Sequence, residues 1–244
     1  MGISYIGKCL LIEENKIKAL VVGDLHLAHV GGMGVGGVKL VDEVWSGMIK
    51  EFDDVFNDER IGGKVDYIVL LGDLRSGFGR LQDDERNEIG RLIDYLGGKC
   101  DEVIVIKGNH DNYVVSVLAS RGIENRETWK WNGYLFVHGD KGIESGKMED
   151  VECIVMGHMH PAIVLEEGAK REKYKCFLVG NVRGKKVIIL PSFIDVNEGI
   201  DVLGLIDEEN VWGWDLRKFE VMVVGEGLEV MSFGKLGKLT SAFA

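Results

Sequence analysis

The sequence is poor in proline, with only Pro161 and Pro191, so few points along its 244 residues remove a backbone donor and break a helix or strand. Cysteine is scarce and scattered. Cys9, Cys100, Cys153 and Cys176 show no C-x-x-C spacing and fall mostly in apolar stretches, which argues against a zinc or disulfide framework and predicts buried, reduced thiols. No apolar run approaches the length of a membrane span, no charged-then-apolar leader is visible, and Ile6 stands where a myristoylation signal needs Ser or Thr. A soluble cytoplasmic protein with no membrane partner is the expectation. Positive charge is also short: 29 Lys and Arg face 40 Asp and Glu, a net charge of −11. Such a surface does not attract nucleic acid or anionic lipid broadly, though a phosphate substrate can still be held through bound cations. There is no repeat and no low-complexity tract, and residues 1–244 read as a single domain.

What is present is a regular alternation. The β-branched runs Ile3 to Ile12 and Ile17 to Val22 are separated by Glu13-Glu14-Asn15-Lys16, a turn between antiparallel strands. Val41, Val44, Trp45, Met48, Ile49, Phe52 and Phe56 recur at helical spacing and predict an amphipathic helix from Lys39 to Asn57. Val65 to Leu71 is an apolar run suited to a strand covered on both faces. A helix from Leu81 to Leu96 follows, with Asp83, Asp84 and Glu85 at its dipole-favoured start, then a strand from Val103 to Ile106 and a short helix from Tyr113 to Ser120. This order implies parallel pairing through right-handed crossovers, with ligand sites at the strands' carboxyl ends. After Gly122 the segments 127–131, 134–137, 151–156, 162–166, 175–179, 186–190, 211–214, 220–224 and 228–233 are short and strand-like, and predict a second, mostly antiparallel sheet packed on the first. Trp129, Trp131, Trp212 and Trp214 alternate on such segments and read as sheet packing rather than base-stacking platforms.

The apolar strands end repeatedly in glycine and metal-ligand residues: Gly23-Asp24-Leu25-His26, Gly72-Asp73, Gly108-Asn109-His110-Asp111, His138-Gly139-Asp140 and Gly157-His158-Met159-His160. Amide, imidazole and carboxylate groups are poor core material because each needs a partner away from water. One such run can be a capped turn, with Asp111 or Asn112 capping the helix behind it. Five histidines in equivalent positions (His26, His110, His138, His158 and His160), accompanied by Asp24, Asp73 and Asn109, instead point to one cavity. Asp24 and His26 stand at i and i+2, as do His158 and His160. On an extended chain each pair shares a side, and Pro161 favours an extended His160. The glycine-rich stretch Gly31 to Gly37 lacks the P-loop pattern and predicts a loop beside the site, and His29 lies next to it without an assigned role.

This order of motifs resembles the calcineurin-like metallophosphoesterase superfamily. Gly72-Asp73-Leu74-Arg75, Gly157 to Ala162 and Leu190-Pro191-Ser192-Phe193 are similar to its ICC-like branch, some bacterial members of which are associated with DNA ligases. Ser76 stands where the protein phosphatase branch carries a second Asp, so a protein phosphatase is disfavoured. The resemblance implies an α/β fold, a four-layer αββα sandwich of two mixed sheets flanked by helices. It also implies two divalent ions. One would be held by Asp24, His26, Asp73 and His160, the other by Asp73, Asn109, His138 and His158, with Asp73 shared. His110 would face the substrate and Asp111 would hold its imidazole. Nitrogen-rich ligands suit Mn first, with Fe, Co, Zn or Ni as substitutes, better than Mg. The implied function is hydrolysis of a phosphate ester, foremost a phosphodiester of nucleotide or nucleic-acid origin, by a water shared between the ions, with His110 assisting the leaving group. Alternatives on the same site are a DNA exo- or endonuclease, a phosphomonoesterase or nucleotide pyrophosphatase, and a non-catalytic binding scaffold. DNA-repair proteins are partners suggested by the branch resemblance alone.

Overall fold

The computed structural model describes residues 2–27, 37–167, 170–206 and 210–239. Five apolar stretches organise it, because in each the alternate side chains enter different cores. In the strand Ile17–Val22 (β3), Leu20 and Val22 face one cluster while Ala19 and Val21 face another. Val65–Leu70 (β4) divides the same way, Ile68 and Leu70 against Val69, as does Cys100–Ile106 (β5), Val103 and Val105 against Ile104 and Ile106. Tyr134–Val137 (β8) and Cys153–Met156 (β9) repeat the division in the second sheet, Leu135, Val137, Ile154 and Met156 against Tyr134, Phe136, Cys153 and Val155. A period-two chain with both faces apolar must be covered on both sides, and this requirement stacks the layers.

Among the described residues, the first sheet runs in the order β1 (Gly2–Ile6), β2 (Cys9–Glu14), β3, β4, β5, β6 (Asn125–Arg126). Its first three strands are antiparallel and the remainder parallel. Helix α1 (Gly37–Asn57) connects β3 to β4, α2 (Asp83–Gly97) connects β4 to β5, and α3 (Val115–Ala119) follows β5. Met48, Phe52, Val55 and Phe56 of α1 and Ile89, Leu92, Ile93 and Leu96 of α2 bury the outer face of this sheet. At about 1.5–3 kcal/mol for each large apolar side chain buried, this layer is a principal source of stability. The capping signal of α2 is local: Gln82 N–H donates to Glu85 Oε2 at 2.8 Å, and Gly98 ends the helix.

The second sheet is ordered β13 (Ile200–Asp201), β10 (Pro161–Glu167), β11 (Lys170–Val182), β12 (Lys185–Ile189), β9, β8, β7 (Thr128–Trp131), with β14 (Glu220–Val224) paired to β11 and β15 (Val230–Lys235) to β14. Most of its pairs are antiparallel; β8–β9, β9–β12 and β10–β13 are parallel. Between the sheets lie Leu10, Ile12, Phe136, Phe177 and Ile188, with Tyr67 beside Trp129 and Trp131. The outer face of the second sheet is covered by a thin layer that includes Leu216, Trp212, Trp214 and Leu236 of the single-turn helix α4 (Leu236–Leu239). The result is a mixed α/β arrangement of two sheets with few helices.

Two local expectations change, and the expected turn between β2 and β3 gains its type. The run Ile3 to Ile12 is two strands, because Gly7 turns the chain and its N–H donates to Leu228 O at 2.9 Å. Asn15 and Lys16 both take positive φ, 52° and 70°, the signature of a type I′ hairpin turn between β2 and β3. Val211 to Trp214 is not a strand: the Asn210 amide closes the segment on itself, donating to Trp214 O at 2.8 Å and accepting from Trp214 N at 3.1 Å. The two indoles stack on each other and cap the outer core, with ring centroids 5.2 Å apart. His29 and Gly31 to Gly36 lie outside the described residues, and Gly37 opens α1.

Candidate metal centre

The carboxyl ends of the parallel strands β3, β4 and β5 point to the same place as those of β8 and β9 in the facing sheet. Asp24, Asp73, Asn109, His138 and His158 all sit one to three residues past the ends of these strands. The loops are tied together before any ion is considered. His26 N–H donates to Asp73 O at 2.9 Å, Leu27 N–H to Leu74 O at 2.9 Å, and Ser76 Oγ to His26 O at 2.8 Å. Glycine in these motifs answers a demand for close approach. A Cβ on Gly108 would lie 2.2 Å from Asp73 Oδ1, and one on Gly157 would lie 2.4 Å from Asp24 Oδ2.

The backbone that carries the ligands corrects the extended-pair picture. His26, Asp73, His158 and His160 have φ of 43°, 47°, 65° and 47°, in the left-handed region. Each such residue costs roughly 1–3 kcal/mol unless its surroundings impose it, and His160 adopts it despite the restriction that Pro161 places on its predecessor. The consequence is a different grouping of donors. His158 and His160 turn apart into separate groups, while His26 and His160 converge, their Nε2 atoms 3.0 Å apart.

Two groups result: Asp24 with His26 and His160, and Asp73 with His138 and His158, the ligand atoms within each group lying within 4.8 Å of one another. In the first, His160 Nε2 is 3.1 Å from Asp24 Oδ1. In the second, His138 Nε2 is 3.2 Å from His158 Nδ1, 3.5 Å from Asp73 Oδ2 and 3.0 Å from Asn109 Oδ1. Asp73 Oδ2 also lies 3.9 Å from His26 Nε2, so it stands between the groups. Donors that share a cation at about 2.0–2.2 Å are separated from one another by about 3 Å, which is the spacing found here. His138 Nδ1 faces the Leu71 carbonyl at 2.8 Å; with its proton donated there, Nε2 presents a lone pair to the Asn109 oxygen. Two acceptors in contact need a proton or a metal ion between them, so the donor set fits divalent cations.

The protein's own charges carry the same message. Burial alone would raise Asp24, but its hydrogen bond to His160, with His138 and His26 near, holds the carboxyl far below the usual carboxylate range. Burial would lower His138, yet Asp73 and Asp24 push it up to about 9, so a positive charge is favoured inside this cavity. Burial pushes His26 down to about 4, which keeps its nitrogen free to ligate.

Asp111 departs from its expected role. Its Oδ1 accepts from Leu74 N and its Oδ2 from Gly108 N, each at 2.9 Å, and it does not hold His110, whose Nδ1 is buried without a hydrogen-bond partner. Asp111 therefore braces the loops that carry Asp73 and Asn109, and burial pushes its carboxyl up to about 6. His110 instead meets a ring: Phe78, 66% exposed, lies 3.8 Å from it centroid to centroid, tilted by 31°. Its Nε2 is 3.8 Å from Asp73 Oδ2. Phe78 escapes a reading of the sequence because it sits in an irregular loop. The loop is fastened by buried Arg75, which donates to Glu85 Oε1 at 2.8 Å and to Gly79 O.

Comparison with known proteins agrees with this geometry. The model of the calcineurin-like phosphoesterase family matches residues 17–171, and the chain belongs to that family. The family implies a hydrolase acting on phosphate esters. Among solved structures, the nuclease MPE of Pseudomonas putida is similar with a TM-score of 0.58 and 17% identity, over 92% of this chain and 100% of that one. This likeness shows the shared fold. Vacuolar Protein Sorting 29 of Cryptosporidium parvum aligns over 89% of this chain and 97% of its own, at 13% identity and a TM-score of 0.42. No curated protein matches the sequence. Among the described residues, no helix is long and apolar enough to cross a membrane.

Proposed function

We propose that the protein is a dinuclear phosphodiesterase, with Asp24, His26, Asp73 and His160 holding one divalent ion and Asp73, Asn109, His138 and His158 the other. The observation that carries this reading is the position of Asp73 Oδ2, 3.9 Å from His26 Nε2 and 3.5 Å from His138 Nε2, at the junction of two complete donor groups. When bound, a pair of divalent ions lowers the pKa of water and neutralises charge on a phosphoryl group. Mn2+ is the first choice for such mixed nitrogen and oxygen donors.

His110 faces the same space without belonging to either group, and in this reading it protonates or stabilises the departing oxygen. An imidazole is the side chain suited to that proton transfer. Phe78 covers one face of His110 and leaves most of its own ring to solvent, an apolar surface where an aromatic leaving group or nucleobase can stack. These features favour a diester with a nucleoside or similar ring over a small monoester. The similarity to the nuclease MPE of Pseudomonas putida supports a nucleic-acid substrate as second reading. The net charge of −11 favours short or single-stranded substrates over tight duplex binding in that case. The branch resemblance of Leu190 to Phe193 adds DNA-repair proteins as partners in this proposal.

The test is metal content followed by parallel assay, with added Mn2+, of bis-p-nitrophenyl phosphate, p-nitrophenyl phosphate and a single-stranded oligonucleotide. Preference for the first or third supports the reading. Monoester preference contradicts it in favour of a phosphatase, and bound metal without turnover contradicts it in favour of a scaffold.

A further inference from the structure

Beyond residue 171, where the family model ends, the chain returns to the metal centre through residues 190–200. Phe193 N–H donates to Asp24 O at 2.8 Å, and Ile200 N–H donates to His160 O at 2.8 Å. The amide of Asn197 meets the outer ring nitrogen of His160, Nδ2 to Nδ1, at 2.9 Å, while its Oδ1 accepts from Gly199 N at 3.1 Å. Asn197 is fixed in turn. Fully buried Ser192 donates from Oγ to Asn197 O at 3.2 Å. Lys175, on β11, ends among the oxygens of the same segment, with Nζ donating to Ser192 O at 2.7 Å, to Ser192 Oγ at 3.0 Å and to Ile194 O. The Lys175 side chain is half-buried, and its ammonium is surrounded by acceptors supplied by one loop.

From this geometry we infer that Lys175, Ser192 and Asn197 are positioning residues that set the affinity of the Asp24, His26 and His160 group for its ion, and leave the second group to its own supports. The inference rests on the metal-centre reading above. The physical reason is that His160 sits on a strained left-handed backbone, φ 47°, and its ring orientation depends on what holds Nδ1. Clasped there by Asn197, the ring keeps Nε2 directed at Asp24 and His26. An ion on Nε2 needs the ring proton on Nδ1, so the Asn197 amide must turn its oxygen to that nitrogen when the ion binds. Partners of this kind, one contact removed from a metal, are worth about 10–100-fold in affinity. The second group has other supports for its side chains, although His158 N–H donates to Asp24 Oδ2 at 2.9 Å. His138 is held by the Leu71 carbonyl, and the loops carrying Asp73 and Asn109 are braced by Asp111.

The test is calorimetric titration of the EDTA-treated full chain with Mn2+ alone, for wild type, Asn197→Ala, Asn197→Asp and Lys175→Met, with thermal unfolding alongside. Asn197→Ala is expected to weaken one of two ions by about 10–100-fold and leave the other unchanged. Asn197→Asp, which still reaches Nδ1, is expected to restore it. Lys175→Met is expected to weaken the same ion. Two ions bound by Asn197→Ala at wild-type affinity would overturn the inference. So would equal weakening of both ions together with a fall in melting temperature, which marks a general folding role. Wild-type protein that takes up no Mn2+ would overturn the metal-centre reading itself, and this inference with it.

Discussion

The two donor groups are built from the same residue types but supported differently. In the Asp73, His138 and His158 group the Leu71 backbone carbonyl holds His138, and burial matches that of the other group, each having two buried ligands and one half-buried histidine. In the Asp24, His26 and His160 group, part of the support is a side-chain clasp from a loop distant in sequence. Backbone support is fixed by the sheet and survives most substitutions; side-chain support can be adjusted one residue at a time. The ion of the Asp73, His138 and His158 group is therefore expected to be the resident one, and the ion of the Asp24, His26 and His160 group the exchangeable one whose affinity tunes activity.

Substitutions can break or sharpen that contrast. The largest expected effect comes from His110→Asn, which should lower kcat by about 10²–10⁴-fold while both ions remain, as metal analysis beside steady-state kinetics would show. Equal loss of metal would remove its assigned role. Next, His158→Ala and His26→Ala should each weaken a single ion by more than about 100-fold, a ligand counting for more than the residue behind it. Titration should show that His158→Ala spares the ion of the Asp24 group and His26→Ala that of the Asp73 group; loss of both in either variant would merge the two groups into one.

A smaller contrast concerns pH. In metal-free protein the folded His138 has a pKa raised from 6.5 to about 9, so the stability it contributes is fully present below pH 6.5 and is lost as pH rises through 9. The melting-temperature advantage of wild type over His138→Gln should shrink across that window, and Mn2+ should restore it by taking the place of the proton. A constant difference between the two proteins would contradict the electrostatic account. The smallest effect is expected for Phe78→Ala, about 1 kcal/mol in kcat/KM on a nucleoside-containing diester and less on a non-aromatic one. A uniform loss on both substrates would assign Phe78 to holding His110 alone.

Much of this site is legible in the sequence because the motifs are local. An apolar run, a glycine and a ligand give both the strand end and its chemistry, and Asp24, His26, Asp73, Asn109, His110, His138, His158 and His160 do converge. What escapes is set by backbone shape and distance. The i and i+2 pairs read as extended; Asp24 and His26 do stay in one group, whereas the left-handed φ at His158 and His160 accompanies their separation into two. Asp111 reads as the partner of its neighbour His110, yet the turn directs its oxygens to the Leu74 and Gly108 amides. Asn197 and Lys175 carry no motif, and their role depends on a segment that returns from the second sheet. In the fold, the alternation that sends Leu20 and Val21 to opposite cores is visible as a solid apolar run. The Val211 to Trp214 turn is not, because its closure by Asn210 overrides the strand-like pattern.

The shared position of Asp73 is the centre of the account, and Mn2+ titration of wild type against Asp73→Asn tests it most directly. Two ions per chain in wild type, with both weakened in Asp73→Asn, is the predicted result. A single ion in wild type, or a variant that loses one ion and binds the other unchanged, would contradict it.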